Sequence, residues 1–288
     1  MIRRFKRPSL RLLLLSVLML AMATGCARFG KMFKGNDAAD DGQPVEESYA
    51  RAQTSMRNGN WDNAEQHYKR LIAQYPYGAY TEQALMETAY AQYKMGKHEE
   101  AISTIDRFIR TYPTHRNIAY LYYLRGLSNS SRDAVFLQRV WKLDASRRDL
   151  ATPTQAYNDY SIVAERYPNS RYATDARQRM IALRNMFARH ELDVALYYLR
   201  RGAWVSAANR AKQMLETYPQ SEYQYDAIAT MGTAYTQLGN ETLAADARRV
   251  LQQNAPDHPW LAGRWPDYPA NWRKLNPFAS ERSAIDND

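Results

Sequence analysis

The chain has 288 residues, 45% hydrophobic and 24% charged, with 22 tyrosines, six tryptophans and one cysteine. Its formal charge of +9 suggests a nucleic-acid partner. However, Arg3, Arg4, Lys6, Arg7 and Arg11 lie in the first eleven residues with no acid among them, so a chain lacking that segment carries only +4. This unremarkable balance argues against nucleic acid, and a single cysteine excludes an intrachain disulfide framework.

Those five cations precede an apolar run, Leu12 to Ala23, which is too short to span a bilayer. A basic segment, an apolar segment and small residues predict a secretory signal peptide over residues 1–25. Its end, Ala23-Thr24-Gly25-Cys26, resembles a bacterial lipobox, and Cys26 is the lone cysteine. The expected chemistry is an S-diacylglycerol thioether on Cys26, cleavage before it, and N-palmitoylation of the new amine. Several acyl chains at ~0.8 kcal/mol per buried CH₂ hold a protein durably on a bilayer. No other cofactor and no metal is expected. Ala27 follows where an aspartate would signal inner-membrane retention in the lipoproteins this N-terminus resembles. The expected location is therefore the periplasmic face of the outer membrane. Residues 26–44 are polar and aperiodic and read as a flexible tether, with a reach of ~20–25 Å.

From Val45 onward one grid recurs: Gly59/Ala64/Pro76, Gly96/Ala101/Pro113, Gly202/Ala207/Pro219 and Gly239/Ala244/Pro256. A turn glycine, a small packing residue and a helix-ending proline on fixed spacing predict an all-α tetratricopeptide solenoid with repeats of about 34 residues. A small residue stands seven positions before each glycine (Ala52, Ala89, Ala195 and Gly232), where paired helices approach closely. Two positions after each glycine stand Trp61, His98, Trp204 and Glu241, of which the two tryptophans supply the bulk expected there. Gly126, Ala156 and Pro168 fit a further repeat whose two small positions lie 18 residues farther apart than in the others. The reading is five repeats, three over 45–168 with an insertion at about 133–150 and two over 169–256. A continuous helix from about Tyr172 to Arg200 splices the two groups.

The first helix of each repeat lines the concave groove of such arrays. Counting on the grid puts Tyr49, Gln53, Met56 and Arg57, then Met86, Tyr90, Tyr93 and Lys94, then Tyr120, Tyr123 and Leu127 along it. Tyrosines with an apolar ring and a polar tip suit a binding surface, and packing against neighbouring helices is the alternative reading. Arg57, Lys94, Arg107 and Arg110 are the cations placed to meet a carboxylate there. The insertion mixes Phe136, Val140 and Trp141 with Arg139, Lys142, Arg147 and Arg148. After Pro256 the period stops, and residues 257–288 form a Trp/Pro-rich extension that either caps the last repeat or is itself a bound peptide.

Catalytic patterns are missing. The histidines at 67, 98, 115, 190 and 258 have no metal-ligand spacing. Nucleophile elbow, phosphate-cradling glycine loop and HExxH motif are all absent from the sequence. A non-enzymatic binding protein is expected. The segments Asp106-Arg-Phe-Ile-Arg-Thr-Tyr-Pro-Thr-His115, Tyr167-Pro-Asn-Ser-Arg-Tyr-Ala-Thr-Asp175 and Arg201-Gly-Ala-Trp-Val205 resemble the outer-membrane assembly lipoprotein family BamD, also called YfiO or ComL. The resemblance spans Glu47 to Gln253. It implies a scaffold of the β-barrel assembly (BAM) complex that binds BamA through a periplasmic POTRA domain, BamC and possibly other BAM lipoproteins, and unfolded outer-membrane proteins. It also places the partner-facing arginine of the family at Arg210, with Arg201 and Trp204 beside it. The rival readings are a periplasmic repeat adaptor for other envelope or cell-division proteins and, against the missing acid pair, a murein-processing enzyme.

Overall fold

The computed structural model describes residues 44–132 and 150–265. The expected signal peptide and tether before Pro44, Cys26, the expected insertion up to residue 149 and the Trp/Pro-rich segment beyond Trp265 lie outside these residues. The described residues form ten α-helices and one 3-10 helix. They pair as α1 (Val45–Arg57) with α2 (Trp61–Gln74), α3 (Ala79–Lys94) with α4 (His98–Thr111), and α5 (Ile118–Arg132) with α6 (Ala151–Arg166). α7 (Ala173–Arg200) then pairs with α8 (Trp204–Thr217), and α9 (Gln224–Gln237) with α10 (Glu241–Asn254), before the 3-10 turn Pro259–Ala262.

The turn chemistry explains why the helices stop where they do. Gly59, Gly96, Gly202 and Gly239 all sit in the left-handed region at φ between 71° and 75°, where a side chain is strained. At each turn the next amide reaches back five residues, as from Asn60 to the Ser55 carbonyl and from Asn240 to that of Tyr235. This closes the exposed helix end. The second helices end differently. The residue before each proline leaves the helical region, with ψ of 80° at Tyr75, 61° at Tyr112 and 53° at Tyr167, because a proline ring clashes with a helical predecessor.

Each helix packs on the next, and first helices also meet across repeats: α1 on α3, α3 on α5, and α7 on α9. The small grid residues carry these close approaches. Ala52, Ala64, Ala89, Ala101, Ala156, Ala195 and Ala207 are fully buried. Ala244 is only half-buried, since its helix closes the array. Gly126 is obligatory, because a Cβ there would lie 2.6 Å from the Tyr160 ring. One apolar cluster spans α1 to α5 around Tyr68, Phe108 and Leu121, and a second spans α7 to α10 around Leu192, Leu199 and Met214. A smaller cluster of Ala156, Tyr160, Val163 and Ala176 joins them. α7 has 28 residues, roughly 42 Å at 1.5 Å per residue, so it reaches from the joining cluster into the second core.

Beyond α10 the chain turns back on the last repeat. The Trp260 indole N–H donates to the Thr233 hydroxyl at 2.8 Å, and the Arg248 guanidinium lies 5.0 Å from the ring centroid. Trp265 is buried in the second cluster. Together they cover the apolar end that a solenoid otherwise leaves open; Trp272 lies outside the described residues.

Candidate functional site

Two adjoining cavities open where α3, α5 and the turn before α7 meet. The first, about 380 Å³, is lined by Met86, Glu87 and Tyr90 of α3, Tyr120 of α5, and Arg171 and Tyr172. The second, about 490 Å³, shares Tyr120, Arg171 and Tyr172 and adds Arg116 and Arg166. The grid produces this arrangement. Residues 86, 90 and 120 are first-helix positions that pack at the edge of the first apolar cluster, while Arg171 and Tyr172 follow the Pro168 stop and lie just before α7.

Tyr120 sits at the centre, its ring 5.5 Å from that of Tyr172. Burial, with Glu87 nearby, pushes its phenol well above the ordinary range, so it stays a neutral hydroxyl. Tyr90 meets Trp61 edge-on at 5.9 Å, and Lys94 stands over the same indole at 5.4 Å. Tyr49 lies between Tyr68 and Tyr80, tilted against both rings with centroids 5.8 and 5.4 Å away. Tyr93 packs on His98 within its own repeat at 5.8 Å. Tyr123 turns toward the joining cluster, donating to Asp175 at 2.6 Å and lying 5.0 Å from Tyr172. That bond, opposed by burial and aided by Arg179, lowers the Asp175 carboxyl.

Of the expected groove residues, Tyr90 and Tyr120 therefore come together in one cavity with Met86. Tyr49, Tyr93 and Tyr123 mainly pack on neighbouring rings. Arg57, Lys94, Arg107 and Arg110 are exposed and line neither cavity. Arg107 and Arg110 lie on α4, a second helix, whereas the cations at the cavities are Arg116, Arg166 and Arg171. Counting first-helix positions misses these three because they stand in or beside turns between repeats. The tyrosine-rich turn Tyr167 to Tyr172 was the signal available.

Two buried networks brace the groove. Glu65 of α2 accepts from Lys69 at 2.6 Å, Gln92 of α3 at 2.8 Å and Lys97 at 2.9 Å. Burial alone raises a carboxyl, but these three donors outweigh it and hold Glu65 at about 2. Arg125 of α5 bridges Asp106 of α4 and Asp159 of α6 at 2.5 and 2.6 Å, and Asn129 donates to Asp159 at 3.0 Å. Burial pushes the Asp159 carboxyl up despite those partners. These contacts fix the angle between successive repeats.

In the second half, Trp204 packs half-buried on the α7–α10 cluster. Arg201 is exposed and its guanidinium lies 5.3 Å from the Tyr197 ring. Arg210 has a partner within the chain. Its guanidinium donates to Glu191 of α7 at 3.0 Å, with 36% and 21% of the two side chains exposed. Tyr197 and Val205, 47% and 58% exposed, add apolar area at the neighbouring turn.

The family model described as "YfiO: Outer membrane lipoprotein" matches residues 41–251, which is the repeat array. The "Outer membrane protein assembly factor BamD" of Xylella fastidiosa strain 9a5c is 66% identical over 263 residues, 91% of this chain and 88% of that one. The chain belongs to the BamD (YfiO) family. A more distant relative of the same name, from Neisseria meningitidis Z2491, is 37% identical over 91% of this chain and 98% of its own. Among solved structures, the complex titled "TPR2AB-domain:pHSP90-complex of yeast Sti1" is 15% identical with a TM-score of 0.42, covering 74% of this chain and 78% of that one. The fold assignment rests on the helix pairs and turns described above.

Proposed function

We propose that this BamD-family chain is a lipid-anchored, non-enzymatic scaffold of the outer-membrane β-barrel assembly complex. Lipid on Cys26 would hold it at the periplasmic face of the outer membrane. The second half, around Arg210, Arg201 and Trp204, would engage a POTRA domain of BamA. The cavity of Met86, Tyr90 and Tyr120 would receive extended, aromatic-bearing segments of unfolded outer-membrane proteins, and BamC would be a further partner. The observation that carries the reading is the family match across the whole repeat array, together with 66% identity to a named assembly factor. A cavity that gathers Met86, Tyr90 and Tyr120 from two repeats suits it, because ring contacts add only ~0.5–1.5 kcal/mol each and several must act together. The test is crosslinked pull-down of the full-length chain from envelopes. A β-barrel subunit should be the dominant partner, and the Cys26→Ser chain should leave the membrane fraction. Recovery of division or murein-synthesis proteins without a barrel subunit would overturn the proposal.

A further inference from the structure

The basic cavity between α5, α6 and the start of α7 has a composition that the scaffold role does not require. Arg116, Arg166 and Arg171 line it with Asn117 and Ser170, and none of its lining residues is acidic. Guanidinium groups stay charged at all physiological pH values. Among the described residues, no carboxylate pairs with any of the three. The neighbouring acids are committed elsewhere: Glu82 faces His115 at 3.5 Å, Glu165 accepts from Ser161 at 2.9 Å, and Asp175 is held by Tyr123 and Arg179. Arg171 is held in place, its Nη2 donating to the Tyr172 hydroxyl at 2.5 Å with its guanidinium 4.8 Å from that ring. The amino ends of α5, at Ile118, and α7, at Ala173, also border the cavity. Both contribute partial positive charge.

Three unneutralised guanidiniums exceed what one carboxylate balances and match the several acceptor oxygens of a phosphate, which arginine forks bind bidentately. The adjoining cavity, with Met86, Tyr90 and Tyr120, shares the lining residues Asn117, Tyr120, Arg171 and Tyr172 with the basic one. Its lining is mixed, with Met86, Tyr90 and Tyr120 alongside Gln83, Glu87 and Asn117. Glu87 is the acidic residue lining that adjoining cavity, where it disfavours an anion and leaves the phosphate on the Arg116 side. We propose that the basic cavity binds the anionic head group of a phospholipid, with the phosphate among Arg116, Arg166 and Arg171. The proposed membrane anchoring supplies the lipid, and the inference rests on that reading for its source alone.

The experiment measures binding by titration calorimetry to the full-length chain in neutral detergent micelles. The probes are dihexanoyl-phosphatidylglycerol, inorganic phosphate and uncharged dihexanoylglycerol. Saturable one-to-one binding of the phosphatidylglycerol is expected, weakened by added salt. Affinity should fall about tenfold or more in Arg116→Gln/Arg171→Gln, since each charge-assisted contact is among the stronger ones. Arg107→Gln/Arg110→Gln, with equal loss of charge outside the cavity, should bind as before. Circular dichroism confirms that both variants fold, and Arg116→Gln alone, at an exposed and unpaired residue, gives the same reading without touching the Tyr172 contact. Equal affinity for inorganic phosphate supports the anion site and assigns it to the free ion. Undiminished binding in the cavity variants, binding of dihexanoylglycerol as tight as phosphatidylglycerol, or no binding of either phosphate probe overturns the proposal. None of these outcomes touches the barrel-subunit pull-down, so failure of the scaffold reading would be seen separately.

Discussion

Replacing Gly232 by alanine places a methyl group 2.7 and 3.0 Å from two ring carbons of Trp260 and 3.2 Å from the Ala247 Cβ. In an isolated helix this substitution would stabilise α9 by roughly 0.5–1 kcal/mol. Here the indole must shift, and overpacking of this kind costs ~1–3 kcal/mol, so net destabilisation of about 1 kcal/mol is expected. Trp260→Ala removes the ring, its bond to Thr233 and the Arg248 contact, and from a half-buried site should cost ~2–3 kcal/mol. In that background the two shortest clashes vanish and Gly232→Ala becomes about neutral. The double-mutant cycle should therefore return a coupling of ~1–2 kcal/mol. Because the end of a solenoid opens locally, the assay is hydrogen exchange at α9 and α10 amides rather than global melting. A cost for Gly232→Ala that is the same with and without Trp260 would show that the tail does not cap the array.

Two further tests address other joints. The Glu65 carboxyl lies at about 2 in the fold against an ordinary 4.5, so it binds fewer protons folded than unfolded. The ~2–3 kcal/mol this represents is present above pH ~4.5 and is lost as pH falls toward 2. Urea unfolding should show a smaller acid-induced loss in Glu65→Gln than in the parent over that interval, and equal losses would refute the role of Lys69, Lys97 and Gln92. Arg210→Leu should change folding stability by no more than ~1 kcal/mol, since its pair with Glu191 is more than a third exposed at the arginine. It should nonetheless weaken capture of the barrel subunit's POTRA domain, while Glu191→Gln should not. Unchanged capture by folded Arg210→Leu would remove that residue from the interface.

The array itself was legible from residue types alone, because each marker answers to local stereochemistry. A left-handed turn demands glycine at 59, 96, 202 and 239, a proline forces its predecessor out of the helix, and close helix pairs admit only small side chains. The length of α7 was equally visible, since no breaker interrupts residues 173–200. Which polar and aromatic groups meet was not visible. Tyr49, Tyr93 and Tyr123 share the periodicity of Tyr90 and Tyr120, yet their rings are taken up by neighbours that only the superhelical angle brings near. The pairing of Arg210 with Glu191, 19 residues apart, depends on how α8 crosses α7. The gathering of Arg116, Arg166 and Arg171 depends on two turns from different repeats arriving at one place. Local backbone rules repeat with the sequence and can be counted along it; contacts between turns depend on the accumulated rotation of one repeat on the next, which only the folded array decides.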